Sequence, residues 1–167
     1  MNKILFVFSF CLFLSQVNAQ TGKGGNVAPA KAVFAEIGGP GVASLNYDMR
    51  FTKSESGIGG RIGIGGFSLG SDGESLTAVF VPIAVNYLLG KDGKNYFEIG
   101  AGVSPVFLSE NVSNDNEELR STFGHLNIGY RLQPADGGFF FRAAINPVFG
   151  KGFFWPYYGG IAFGYKF

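Results

Sequence analysis

Apolar and polar positions alternate with a period of two along most of the chain after residue 30. The last segment is the clearest: Ile161, Phe163, Tyr165 and Phe167 share one parity, and Ala162, Gly164 and Lys166 the other. The same alternation sets Phe97, Ile99, Ala101 and Val103 against Glu98, Gly100 and Gly102, and Leu126, Ile128, Tyr130 and Leu132 against Asn127, Gly129 and Arg131. Val79, Val81, Ile83, Val85 and Tyr87 form another row, opposite Ala84 and Asn86. Leu45, Tyr47, Met49 and Phe51 stand opposite Asn46, Asp48 and Arg50. Less regular runs at 33–38, 58–67 and 139–149 bring the expected strands to eight. Period two is the mark of a strand with one apolar face. No run of 18 apolar residues follows residue 20, so a helical membrane protein is excluded.

The connections carry a second pattern. Segments 52–57, 89–95 and 133–138 are short and rich in Gly, Pro, Asp and Asn, whereas 68–75, 109–120 and 150–157 read as longer loops. Short turns at one end, longer loops at the other and an even strand number are the habit of bacterial outer-membrane barrels. Only the first connection, Gly38–Gly41, is shorter than an outer loop should be. The expected fold is all-β: an eight-stranded antiparallel up-and-down transmembrane β-barrel over residues 31–167.

Alternation alone also fits a soluble barrel, so the second face decides. By parity it carries Glu36, Asp48, Arg50, Arg61, Glu98, Arg131, Arg142 and Lys166, with Asn46, Asn86, Asn127 and Asn146 among them. It also carries Gly63, Gly65, Gly100, Gly102, Gly129 and Gly164. A water-facing sheet has no need of so much glycine. The lumen of an eight-stranded barrel has just enough width for side chains, so long charged residues need small neighbours, and buried ions need partners. These eight charged residues are therefore expected to form a lumen network without an open pore. Phe51, Tyr87, Tyr130, Tyr165 and Phe167 end the apolar rows as an interfacial girdle would, and Phe153, Phe154, Trp155, Tyr157 and Tyr158 gather before the last strand.

Composition agrees with this reading. Aromatic residues make up 16% of the 167 and charged residues only 15%, against roughly 25% in typical soluble proteins. With 13 basic and 12 acidic residues, the chain has no electrostatic footprint for nucleic acid. Residues 1–19 read as a secretory signal peptide: Lys3, an apolar run from Ile4 to Leu14, and small residues ending at Ala19 before Gln20. Its removal takes away Cys11, the only cysteine, and leaves no disulfide or thiolate metal site. Residues 20–30 read as a flexible periplasmic leader.

The closing pattern Ile161-Ala162-Phe163-Gly164-Tyr165-Lys166-Phe167 looks like the C-terminal strand signal that barrel assembly machinery reads, with Phe163, Tyr165 and Phe167 as its apolar positions. The stretches Glu36-Ile37-Gly38-Gly39, Leu45-Asn46-Tyr47-Asp48, Val85-Asn86-Tyr87-Leu88-Leu89-Gly90, Phe97-Glu98-Ile99-Gly100-Ala101-Gly102 and Gly129-Tyr130-Arg131 resemble small outer-membrane β-barrel proteins of Bacteroidetes-type bacteria, OmpA/OmpX-like in architecture. The resemblance implies an outer-membrane location and outer-membrane lipid as surroundings. It brings no chemistry with it.

No catalytic, cofactor or metal site is expected. His125 is the only histidine and has no second ligand at metal spacing. A lipid A deacylase of this architecture would place Ser two residues from His on one strand; here that position holds Asn127, and Ser121 lies further away. His125 is expected to be a polar lumen residue near the outer mouth. Residues 58–66 are glycine-rich but fit neither G-x-G-x-x-G nor a P-loop. Asp115, Glu117 and Glu118 read as a solvated loop without calcium-loop spacing. The expected role is structural or interactive, through the outer loops of a monomer. The alternatives are a lipid-modifying barrel enzyme, requiring His125 beside a hydroxyl or carboxylate at the lipid boundary, and a secreted lipocalin-type barrel, requiring an apolar interior.

Overall fold

The structure is a computed structural model that describes residues 28–71, 74–112 and 115–167; the signal peptide and most of the leader expected above lie outside them. Its strands are β1 (Lys31–Gly38), β2 (Ala43–Arg50), β3 (Gly57–Ser71), β4 (Glu74–Phe80), β5 (Ile83–Leu89), β6 (Asn95–Val112), β7 (Asp115–Leu132), β8 (Gly138–Ile145), β9 (Val148–Gly150), β10 (Phe153–Trp155) and β11 (Gly159–Lys166). They make eight staves, because three pairs are single staves interrupted once. Pro82 separates β4 from β5 and Pro147 separates β8 from β9 without a register change, since β3 pairs with β4 and β5 in one frame and β7 with β8 and β9 in another. Each proline lacks a ladder N–H, but its carbonyl still accepts, from Gly63 at 2.9 Å and from Leu126 at 2.9 Å.

The third interruption is a bulge. Asn146 N–H donates to Tyr158 O, yet Val148 pairs with Trp155, so two steps on one strand face three on the other. One extra residue between Trp155 and Tyr158 inverts the parity of β10.

The barrel closes where β1 pairs antiparallel with β11, from Ala32 opposite Lys166 to Gly38 opposite Gly160. Closure leaves the central ladders without a free edge, which an apolar environment demands. The start of β1, the end of β11 and the turns 51–56, 90–94 and 133–137 share one end, here the terminal end. The opposite end is uneven. The connections expected as long loops are mostly strand: β6 and β7 pair all the way from Asn95 opposite Leu132 to Val112 opposite Asp115. At about 3.4 Å per residue, 18-residue strands far exceed the 9–11 residues that cross a bilayer. This hairpin therefore projects well beyond the barrel.

The shortest stave pair is β1–β2, whose connection is a 3₁₀ turn, Gly39–Gly41, with all three residues buried. It folds into the opening, which is why its length did not fit an outer loop. Val42 closes the turn at φ 63°, a conformation unusual for a β-branched residue.

The parity of the sequence becomes two faces. Ile37, Leu45, Ile62, Ile83, Val85, Ile99, Phe163 and Tyr165 point outward, Ile37 being 77% exposed. Phe51, Tyr87, Tyr130, Tyr165 and Phe167 ring the terminal end on that same exposed face.

Candidate functional site

All eight charged residues expected in the lumen are buried there: Glu36, Asp48, Arg50, Arg61, Glu98, Arg131, Arg142 and Lys166. Seven of them, all but Lys166, form a continuous chain of ion pairs. Glu36 on β1 accepts from Arg61 Nη2 and from Arg142 Nη1, the latter at 2.5 Å. Glu98 on β6 accepts from Arg142 Nε at 3.0 Å and Arg131 Nε at 2.8 Å. Arg131 also grips Asp48 with both terminal nitrogens, at 2.9 and 3.0 Å. Arg50 reaches the same carboxylate at 2.6 Å. Asn86 completes this corner, donating to Asp48 Oδ2 at 2.6 Å and accepting from Arg50. Asn46 accepts from Arg61 Nε at 2.9 Å.

Three carboxylates thus hold four guanidiniums. Burial of unpaired ions would cost several kcal/mol each, so bridging by shared carboxylates is what makes this interior tolerable. Parity does not place the fourth acid. Glu55 reaches in from the turn between β2 and β3, and Lys166 Nζ donates to its Oε1 at 2.7 Å and to Ala135 O at 2.5 Å. Gln133, likewise unremarked in the sequence, donates to Glu55 and accepts from Arg131 Nη1 at 3.3 Å.

Two lumen phenylalanines were also missed. Phe34 and Phe140 stack with centroids 4.7 Å apart and planes 15° from parallel. Arg61 lies over Phe34 at 5.1 Å and Arg131 over Phe140 at 5.2 Å. Gly164 makes the stack possible: it pairs with both Phe34 and Phe140, and a Cβ there would strike Val33 O and Phe34. The signal was present, since Phe34 and Phe140 lie two residues from Glu36 and Arg142 and must share their face. Gly59 plays the same part beside Arg50, whose guanidinium occupies the space a Cβ would need.

Above the ionic layer the lumen becomes neutral. Asn146 donates to Asn127 Oδ1 at 2.5 Å. His125 Nδ1 lies 3.4 Å from Ser104 Oγ, on the neighbouring strand, and both residues are buried. His125 therefore does have a hydroxyl beside it, from a residue the sequence reading did not single out. That pair faces the lumen, away from the outer surface where a lipid ester would lie. Among the described residues no group of three metal-ligating side chains occurs. The side chains of Asp115, Glu117 and Glu118 lie outside those described; their backbone is strand β7.

At the top, the bulge corrects the expected girdle. Trp155 shares the side of its inward partner Val148, and Phe153, Trp155 and Tyr158 join Phe80, Phe123, Val148, Pro40 and Val42 around a cavity of about 390 Å³. Phe154 alone of β10 keeps the outward side, opposite Phe149.

No family model and no curated protein matches the chain. Solved structures do. The N-terminal β-barrel domain of Pseudomonas aeruginosa OprF superposes with TM-score 0.60 at 13% identity, over 86% of this chain and 100% of that one. Ail, the attachment invasion locus protein of Yersinia pestis, gives TM-score 0.53 at 11% identity, over 83% and 97%. Neisserial surface protein A gives 0.50 at 9%, over 83% and 92%. At these identities the likeness is one of fold: a closed eight-stranded antiparallel barrel of the outer-membrane type.

Proposed function

We propose that the protein is a small integral outer-membrane barrel, terminal end in the periplasm, with a structural or interactive role through the β6–β7 hairpin outside. The observation that carries this reading is the inversion of polarity: charged side chains are sealed inside and the exposed surface is a band of Ile, Leu, Val and Phe. A soluble protein does not expose so much contiguous apolar surface. The lipocalin-type alternative required an apolar interior, and the lumen holds an ionic network instead. The proposal extends to the small barrels of Bacteroidetes-type bacteria that the sequence resembles, to cleavage after Ala19, to a monomeric state, and to recognition of Phe163, Tyr165 and Phe167 during assembly.

The barrel is not a catalyst in this reading, because His125 has Ser104 Oγ at 3.4 Å as its one described hydrogen-bond partner and no carboxylate to orient it as a base. Nor is it a pore. Cell fractionation with heat-modifiable gel mobility tests the location: the native chain should float with outer membranes and shift on boiling. Recovery in the soluble periplasm, or stable large conductance in planar bilayers, would refute the proposal.

A further inference from the structure

The cavity at the mouth is unlike the rest of the lumen. No charged side chain lines it; Phe80, Phe123, Phe153, Trp155, Val148 and Tyr158 form its walls. Its volume of about 390 Å³ falls within the ~300–1,000 Å³ of small-molecule sites. Scaled from the ~150 Å³ cavity that accepts benzene, it has room for roughly fifteen carbons.

The wall beside this cavity is low. β1 ends at Gly38 and β2 begins at Ala43, whereas β3 continues to Ser71, paired beyond Gly65 only with β4. On the other flank β10 pairs only with β9. Among the described residues, then, the β1–β2 corner is a notch between two taller flanks. Beside the notch, on the outward face of β1, β11, β8 and β7, lies an apolar groove of about 850 Å³ lined by Ile37, Ile128, Ile145 and Ile161. Its residues Gly38 and Gly159 are chain neighbours of the cavity residues Gly39 and Tyr158. Groove and cavity share no lining residue but approach each other at a rim of glycines, Gly38, Gly39, Gly159 and Gly160, with the Glu36 carboxylate lying against Gly39 and Gly160.

We infer that the mouth cavity holds one hydrocarbon chain of a membrane lipid, which arrives laterally from the outer-face groove over the β1–β2 corner. This rests on the membrane location proposed above. The chemistry favours hydrocarbon because a polar solute would find only the Tyr158 hydroxyl and Trp155 indole N–H as partners. The route favours a lipid because the apolar path leads to the bilayer face. The buried Gly39–Gly41 turn and the tightly held Val42 give the site a fixed floor rather than a collapsible one.

Trp155 is the only tryptophan in the chain, so its fluorescence comes from one residue of the cavity wall, and saturation separates binding there from contact with surrounding lipid. The whole mature protein is inserted in phosphatidylcholine vesicles and titrated with lysophosphatidylcholine brominated on its chain. Quenching should saturate at about one brominated lipid per protein. Val148→Phe, which fills the cavity, should weaken that saturable component at least fivefold, and Val148→Ile should weaken it less while disturbing the fold least. Quenching that rises linearly with brominated lipid and is equal in both variants would overturn the inference, since Trp155 would then sense only surrounding lipid. Saturable quenching by an aqueous bromonaphthalene but not by the lysolipid would also overturn it. Failure of the membrane location itself would appear separately, as protein that does not float with the vesicles.

Discussion

Glu98 is the place to test whether the lumen behaves as a dry ionic core. Its carboxylate is buried and accepts from Arg131 Nε at 2.8 Å and Arg142 Nε at 3.0 Å. Glu98→Ala removes both bonds and leaves two carboxylates facing four guanidiniums. Hydrogen bonds to charged groups contribute about 1.5–3 kcal/mol each, and removing one partner of a buried pair costs about 3–5 kcal/mol. The expected loss is therefore about 3–5 kcal/mol. Glu98→Gln keeps one acceptor oxygen and should lose about half as much. Adding Arg142→Met to Glu98→Ala removes a cation that has lost one of its two carboxylates, Glu36 remaining, so the double variant should be more stable than the sum of the single losses by about 1–3 kcal/mol. Because the pairs are buried, these differences should change little with salt. Urea unfolding of vesicle-inserted protein, followed by heat-modifiable gel mobility, gives each value. A loss below about 1 kcal/mol for Glu98→Ala, with no coupling to Arg142, would mean that water solvates the lumen charges and that the network is not what holds the staves together.

Other consequences are open to direct measurement. Phe163 faces outward against Phe141, with centroids 5.3 Å apart, and Phe163→Arg should cost about 2–4 kcal/mol if the position lies near the bilayer midplane; vesicle insertion equal to that of the native chain would show the outward face to be misassigned. Gly164→Leu should block the Phe34–Phe140 stack and prevent folding, seen as loss of the unboiled fast band, whereas Gly138→Ala, where a Cβ meets nothing within 4 Å, tests the separate penalty of its φ of 109°. Asp92, in the exposed turn after β5, has its carboxyl held down to about 2 by the Asn95 amide and by the backbone N–H groups of Asn95 and Lys94. Its contribution to the turn is therefore complete above about pH 4, the range of a free aspartate, and is lost as pH falls through about 2; carboxyl NMR titration should follow that course, and an ordinary midpoint would refute it.

What parity could reveal is set by what parity is. A strand with one face buried fixes the side of every residue, so Glu36, Asp48, Glu98 and the five basic residues on the same face were readable before any coordinates. Parity says nothing about height or about turns. Glu55 lies in a turn that sequence treats as solvent-exposed, yet its side chain climbs back to Lys166. Parity also fails wherever one residue is inserted. The extra residue between Trp155 and Tyr158 leaves no compositional trace beyond Pro156, and it moves Phe153 and Trp155 from the expected girdle to the mouth. The apparent loops at 68–75 and 109–120 had the Ser, Asn and Glu content of solvated chain. Outside a membrane a hairpin has no need of an apolar face, so polar composition could not distinguish extended ladder from loop.

The order of layers along the lumen constrains what the barrel can do. From the terminal end a solute meets Glu55, Lys166 and Gln133, then the interlocked guanidiniums, then the Asn127–Asn146 and Ser104–His125 pairs, and last the aromatic mouth. A cation approaching from that end meets the surplus positive charge of four arginines against three carboxylates. An anion can be held there only by breaking bonds that Glu36, Asp48 and Glu98 already make. An apolar molecule at the mouth faces the opposite barrier, because below His125 it would have to separate ion pairs without solvating them. In the pore-less barrel proposed above, each class of solute is thus stopped by the layer built for another. In the reading proposed above, the mouth cavity is a dead end, closed below by these layers, so whatever it takes up must leave by the way it came.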